Sequence, residues 1–279
     1  MSRGLGDVYK RQPENWLNWQ FADDNVMVLT YGAWNKIKNV TQGTGVNFAW
    51  AQILRIATMH RMLDMYGALP YSQISSDKLS TPYDTMEEAY HAMFTDLTDA
   101  INVMTVYVTE NPNNRTMAKY DKVYDGDFEK WVKFANSLKL RMAIRIRFAD
   151  REYARQMAEE AINHSIGVIT SNEDNATSLG TKNQLYTVLV QWPDQCVSAD
   201  ITSYMKGYND PRMSKYFKKK TSDKGDDDYV GMRAGLSYGN DITGPTFSRI
   251  NVGEMDRTLW MSAAETCLLY TSPSPRDTR

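Results

Sequence analysis

Three kinds of side chain in this 279-residue sequence have the chemistry to act on a ligand or to hold one: carboxylates, histidines and large aromatics. Hydrolysis of a glycosidic bond needs two carboxylates placed across that bond. Aspartate and glutamate together number 34, so chance pairs abound and spacing selects none. Asp125 and Asp127 are the most tempting pair. They flank Gly126 directly before an apolar-periodic segment, and capping a helix there explains them more economically. The histidines, His60, His91 and His164, form no HExxH or comparable pattern. His60 lies in a densely apolar run and reads as a packed core residue; His91 falls on a polar helix face. Cys196 and Cys267 are too few for a disulfide framework and badly placed for a metal. There is no GxSxG, no phosphate-binding glycine loop and no CxxC. The acidic stretch Ser222–Tyr229 lacks the alternating oxygen ligands of a calcium loop and reads as solvated. Aromatics remain. Trp16, Trp19, Phe21, Tyr31 and Trp34 lie among Asn and Asp. A ring face can stack on the C–H face of a pyranose while amides take its hydroxyls. Core packing is the favoured reading of the same rings, because large aromatics dominate burial.

The elements that must position these groups are mostly helices. Tyr124–Ala149 organises the chain and reads as one long helix with Asp127 as its N-cap. Phe128, Trp131, Val132, Ala135, Leu138, Met142, Ile146 and Ala149 form a core stripe. Leu140, Ile144 and Phe148 form a thinner line opposite, so packing from both sides is expected. Arg141 and Arg145 border the main stripe, where arginines bury their stems and pair with carboxylates or carbonyls. Val46–Tyr66 is apolar on nearly every side and is expected to be buried, with Gly67 ending it and Pro70 preventing its continuation. Thr85 and Glu88 make a capping box before an amphipathic helix whose inward face runs Met86, Ala89, Tyr90, Met93, Phe94, Leu97, Ala100, Ile101, Met104. Further helices are predicted at Asp150–His164 and Val197–Gly207, with no regular repeat period. The segment around Tyr31 reads as a helix start or a loop. Leu185–Val190 is β-like, and Trp192-Pro193 closes that run on a loop. Asn209-Asp210-Pro211-Arg212 is a turn that Arg212 can anchor through a carboxylate. Gly231–Gly253 is irregular, a natural place for ligand contacts.

The combination of Asp125, Gly126, Asp127, Trp131, Ala135, Asn136, Ser137, Leu138, Leu140, Arg141 and Arg145 resembles the characteristic helix of the SusD/RagB family. These are surface glycan-binding lipoproteins of Bacteroidetes nutrient-uptake systems. Tyr66–Tyr71 is similar to the family's helix exit, with Ala68 where an acidic residue is usual. Asn209–Arg212 and Leu259–Thr266 resemble its NDPR segment and the start of its late helix. The resemblance covers Val46 to Glu265 in scattered blocks. It implies an all-α, SusD-like fold of tetratricopeptide-like helix pairs with irregular ligand-binding loops. It also implies no catalysis and no cofactor. The ligand implied is an oligosaccharide or another nutrient, a peptide included, and the partner a SusC-like TonB-dependent transporter. The location implied is the outer-membrane surface, through an N-terminal lipid anchor. On that basis Tyr31, Trp34 and Trp192 are the expected ligand-contacting aromatics.

Both ends look foreign. Residues 1–12, MSRGLGDVYKRQ, and 267–279, CLLYTSPSPRDTR, resemble translated sequencing-adapter read-through, although Ser/Pro/Arg-rich ends are also ordinary tails. Set aside, they leave 13–266 as a partial helical domain expected to expose core surface. The absence of a signal peptide at Met1 then says nothing about location. A net charge of -2 offers no basic field for nucleic acid. No apolar run approaches a membrane span in length. Two other readings stand beside the lipoprotein. One is an intracellular helical-repeat scaffold for a peptide or protein partner; the other is a helical-barrel glycoside hydrolase.

Overall fold

The computed structural model describes residues 26–74, 80–179, 196–220, 228–235, 247–251 and 257–271. Residues 1–12, Trp16, Trp19, Phe21, Leu185–Val190, Trp192 and most of the stretches 222–229 and 231–253 lie outside them. The chain divides into two compact units, Met1–Ala176 with Trp260–Arg279, and Thr177–Leu259.

The first unit is helical. It holds α1 (Val26–Thr41), α2 (Gly45–Tyr66), α3 (Met86–Glu110), α4 (Phe128–Ile146), α5 (Arg151–Ile162) and the late helix α8 (Ala263–Thr271). Each of α1 to α4 packs on the next, and α8 returns to pack on α4. This is the tetratricopeptide-like pairing that the amphipathic patterns predict. The segment around Tyr31 proves to be mid-helix. The capping residues act as their types predict. Thr85 Oγ1 accepts from the Glu88 N–H (3.2 Å) and Glu88 Oε2 from the Thr85 N–H (2.8 Å). Gly67, at φ +79°, closes α2 by donating to Leu63 O.

The start of α4 rests on a residue that the sequence pattern does not single out. Asp121 is 1% exposed. Its carboxylate accepts from the N–H groups of Val123 (2.9 Å), Tyr124 (3.1 Å) and Gly126 (3.0 Å) and from Trp131 Nε1 (2.7 Å). Those bonds coil the chain through Asp125 (φ +50°) and Gly126 (φ +77°). A Cβ on Gly126 would stand 2.7 Å from the Ala118 N, so only glycine fits there. The coil delivers Asp127, which caps α4 by accepting from the Lys130 N–H at 3.2 Å.

Phe128, Trp131, Val132, Leu138, Met142 and, from the second line, Leu140 are buried, each worth about 1.5–3 kcal/mol. α4 stops at Ile146, three residues short of the predicted end. Asp150 takes an extended backbone (φ -136°) and caps α5 by accepting from the Tyr153 N–H, so the chain must leave the helix before it. Phe148 therefore falls in the turn, 68% exposed, instead of continuing the second apolar line. Met86, placed on the inward face of α3, is also half-exposed, while Met93 and Met104 further along are buried. Leu54 and Met65 are exceptions to the burial expected for α2.

The second unit contains α6 (Ala199–Gly207), α7 (Met213–Tyr216), β2 (Phe217–Lys218) and β3 (Arg249–Ile250). β2 and β3 pair antiparallel with Phe217 opposite Ile250. Its core is small: Val197, Met205, Met213 and Phe217, with Tyr229 and Ile250 against them. Asp210 accepts from the guanidinium of Arg212 (Nε–Oδ1 2.9 Å), the expected anchor of the Asn209–Arg212 turn. Strands β1 (Ala176–Leu179) and β4 (Arg257–Met261) form the other two-stranded sheet among the described residues.

Replacing Asp121 with alanine leaves three backbone N–H groups and an indole N–H buried without an acceptor. The expected loss is at least about 3 kcal/mol, since each such group costs about 1–3 kcal/mol. Urea unfolding of Asp121→Ala against the parent measures it; a loss below about 1 kcal/mol refutes the central place given to this carboxylate.

Candidate functional site

Where the C-terminal ends of α2 and α4 meet the first turns of α3, the helical unit has a cleft of about 720 Å³, within the usual size of a ligand pocket. Met86 and Ile144 line it with apolar surface, and Phe148 stands at its edge under the Arg147 guanidinium, 4.6 Å from the ring centre. The polar groups are tied to one another. The Tyr90 hydroxyl donates to Asp64 Oδ1 (2.6 Å), and Arg145 Nε lies 2.9 Å from Asp64 Oδ2. Burial, then the neighbouring Asp64 carboxylate, raises the Tyr90 phenol well above its ordinary range, so it stays protonated and acts as a donor. His91 lies over the Tyr153 ring (4.3 Å) with Nε2 3.8 Å from Asp150. Both oxygens of Asp64 are engaged. Among the described residues, no group of three or more His, Cys, Asp and Glu is placed to hold a metal ion. The arrangement can hold a ligand of mixed polarity.

The aromatics expected to meet a ligand lie elsewhere. Tyr31 and Trp34, on α1, are buried and meet in a cage around Arg55 of α2. The guanidinium carbon is 5.3 Å from the Tyr31 ring centre, 4.2 Å from Trp34 and 4.0 Å from Tyr71. Arg55 also donates to Tyr71 O (3.0 Å) and Gln52 Oε1 (3.2 Å). The Trp34 indole N–H donates to Gln52 as well, and the Tyr31 hydroxyl to Pro70 O. Burial pushes the Tyr31 phenol up to about 12. Neither ring offers a face to solvent, so the stacking role expected of them has no surface here; core packing, the other reading of these aromatics, accounts for their burial. Trp192 lies outside the described residues. The cage has a sequence signal, an arginine set among apolar residues of α2, but nothing in the spacing names its three aromatic walls. His60 is a core residue, with its Nδ1–H donating to Ile56 O at 3.0 Å, and burial pushes its pKa down to about 4.

The model of one family, described as "SusD-like: Susd and RagB outer membrane lipoprotein", matches residues 7–272. The chain belongs to this SusD-like family. A SusD homolog from Bacteroides uniformis is 40% identical with a TM-score of 0.76, and the alignment covers 89% of this chain and 52% of that one. A second homolog, from Bacteroides thetaiotaomicron, is 33% identical with a TM-score of 0.80, over 91% and 52% of the two chains. A chitin-binding SusD homolog from Flavobacterium johnsoniae is 34% identical with a TM-score of 0.75, over 88% and 50%. The chain thus spans about half the length of these SusD-like structures. A search of the curated proteins returns no match.

The residues that carry the SusD-like resemblance have structural work in this chain. Arg141 pairs with Glu265 (2.7 Å), joining α4 to α8, and Arg145 joins α4 to α2 through Asp64. Asn136 Nδ2 donates to Gly167 O, and Ser137 Oγ accepts from the Ile169 N–H. They hold the segment after α5 against α4.

Asp64→Ala should cost about 1–2 kcal/mol in denaturant unfolding, chiefly through the Tyr90 hydroxyl, because half-exposed Arg145 regains water. An unchanged midpoint removes this network from the architecture. His60 binds its proton less readily folded than unfolded. Its contribution to stability is therefore complete above the unfolded value near 6.5 and is lost as pH falls towards about 4. His60→Leu should flatten the fall in stability between those pH values; an unaltered slope places the acid sensitivity in other groups.

Proposed function

We propose that the complete protein captures a saccharide at the outer-membrane surface and hands it to a SusC-like TonB-dependent transporter, without chemical change to the ligand. The family match over residues 7–272 carries this reading. The chitin-binding homolog supports a saccharide as the ligand. A lipid anchor on an N-terminal segment holds the protein at the surface in this scheme.

The helical unit has the character of a docking element. Met86, Phe148 and Arg145 edge the cleft, each with close to half or more of its surface exposed. Methionine, aromatic residues and arginine are enriched where proteins meet. Docking of this face on the transporter leaves the less regular parts of the chain for the nutrient.

Native gels cast with starch, xylan, glucomannan or a soluble chitin derivative test the reading. At least one polysaccharide should retard the protein, and no new reducing ends should appear on prolonged incubation. Retardation by none, or release of reducing sugar, overturns it.

A further inference from the structure

We propose that Tyr204 on α6 and Tyr208, the C-cap residue that follows it, form a stacking platform for a neutral saccharide, a site that rests on the function proposed above and gives it a location. Ser198 caps α6 by accepting from the Asp200 N–H. Helical spacing then sends Thr202 and Met205 inward. Met205 joins the small core of the second unit, and the Thr202 hydroxyl donates to Ala199 O (3.0 Å). The same spacing puts Ile201, Tyr204 and Tyr208 together on an adjoining face. Tyr204 is 68% exposed and Tyr208 81%, with Ile201 beside them also exposed. Scattered exposed apolar residues need no explanation, but three in one helical line, two of them aromatic, make a surface that water does not favour.

The chemistry of this face selects its occupant. Residues four apart on a helix lie about 6 Å apart along its axis, a separation on the scale of one sugar ring. Each tyrosine combines an apolar ring face with a hydroxyl tip, matching a pyranose that has a C–H face and a rim of hydroxyls. The line carries no charge. Lys206 projects from the other side of α6, with Nζ 2.5 Å from Asp228 Oδ2. Asp200, next to the line, accepts from the Ser198 hydroxyl at 3.3 Å. Among the described residues no cation lies in this line, and Ile201 and the two tyrosines that form it are uncharged, so the face suits a neutral sugar chain lying along the helix. Asn209 follows Tyr208 directly, and Asp210 is taken up by Arg212.

The test uses the full 279-residue chain with the same polysaccharides. Tyr204→Ala/Tyr208→Ala should weaken affinity for the retained polysaccharide by about tenfold or more, as two stacking rings are lost. Tyr204→Phe/Tyr208→Phe keeps the rings and should stay within about threefold. Both side chains are on the surface, so the thermal melt should not move; the single alanine variants serve if the double one does. A parent that binds, with a double-alanine variant that binds equally, overturns the platform and leaves the saccharide reading standing. A parent that binds none of the polysaccharides overturns both. A double-alanine variant that changes only the oligomeric state assigns the face to a second copy of the chain and overturns the platform.

Discussion

A buried carboxylate is tolerable only when its oxygens are fully engaged, and Asp121 meets that condition with four donors from the nine residues beyond Lys122. The requirement shapes the next stretch of backbone. Three backbone donors from neighbouring residues can converge on one side chain only if the chain coils, and the coil passes through two left-handed residues. It leaves Asp127 at the first turn of α4 and holds Trp131 by its indole N–H. Trp131 in turn packs against Tyr124, Phe134 and Trp50. Because α3, α5 and α8 all pack on α4, the placement of this helix is the placement of the unit.

The arginines of the helical unit then work as ties. Arg55 is enclosed by three rings, Arg141 reaches α8 and Arg145 reaches α2. Arginine suits this use: its guanidinium is always charged, presents a planar fork to a carboxylate and stacks on aromatic faces. For Arg55, which is buried, removing a partner costs more than the pair contributes, since a charge is then left uncompensated. The residues by which the family is recognised are therefore architectural.

The two candidate surfaces differ in chemistry. The cleft in the helical unit mixes methionine, phenylalanine and arginine with a hydrogen-bonded interior. The face of α6 in the second unit is uncharged and aromatic. The first resembles the composition of a protein interface, and the second suits a ligand that is apolar on one side and hydroxylated at its edge. The role proposed above, capture of a sugar and its presentation to a transporter, calls for both kinds.

Much of the fold was legible in the residue order. Helical periods, the Thr85–Glu88 capping box, Asp127 as a cap, Gly67 as a stop and the Arg212 anchor are local, set by neighbours within a turn or two, and the structure agrees with them. So does the burial of His60, which an apolar run on its own helix announces. The residue order also supplied the combination of residues that matches the family. What it left open was decided by contacts between segments far apart in the chain. Asp121 looked like any loop aspartate until four donors converged on it. Tyr31 and Trp34 could serve a sugar or, by preference, a core, and their burial was decided by Arg55 and Tyr71, which only packing brings to them. Phe148 continued an apolar line in the helical pattern, but Asp150 was needed to cap the next helix and the turn carried the ring out to the surface. Periodicity reports which face a residue shares; whether that face is covered depends on what the rest of the chain places against it.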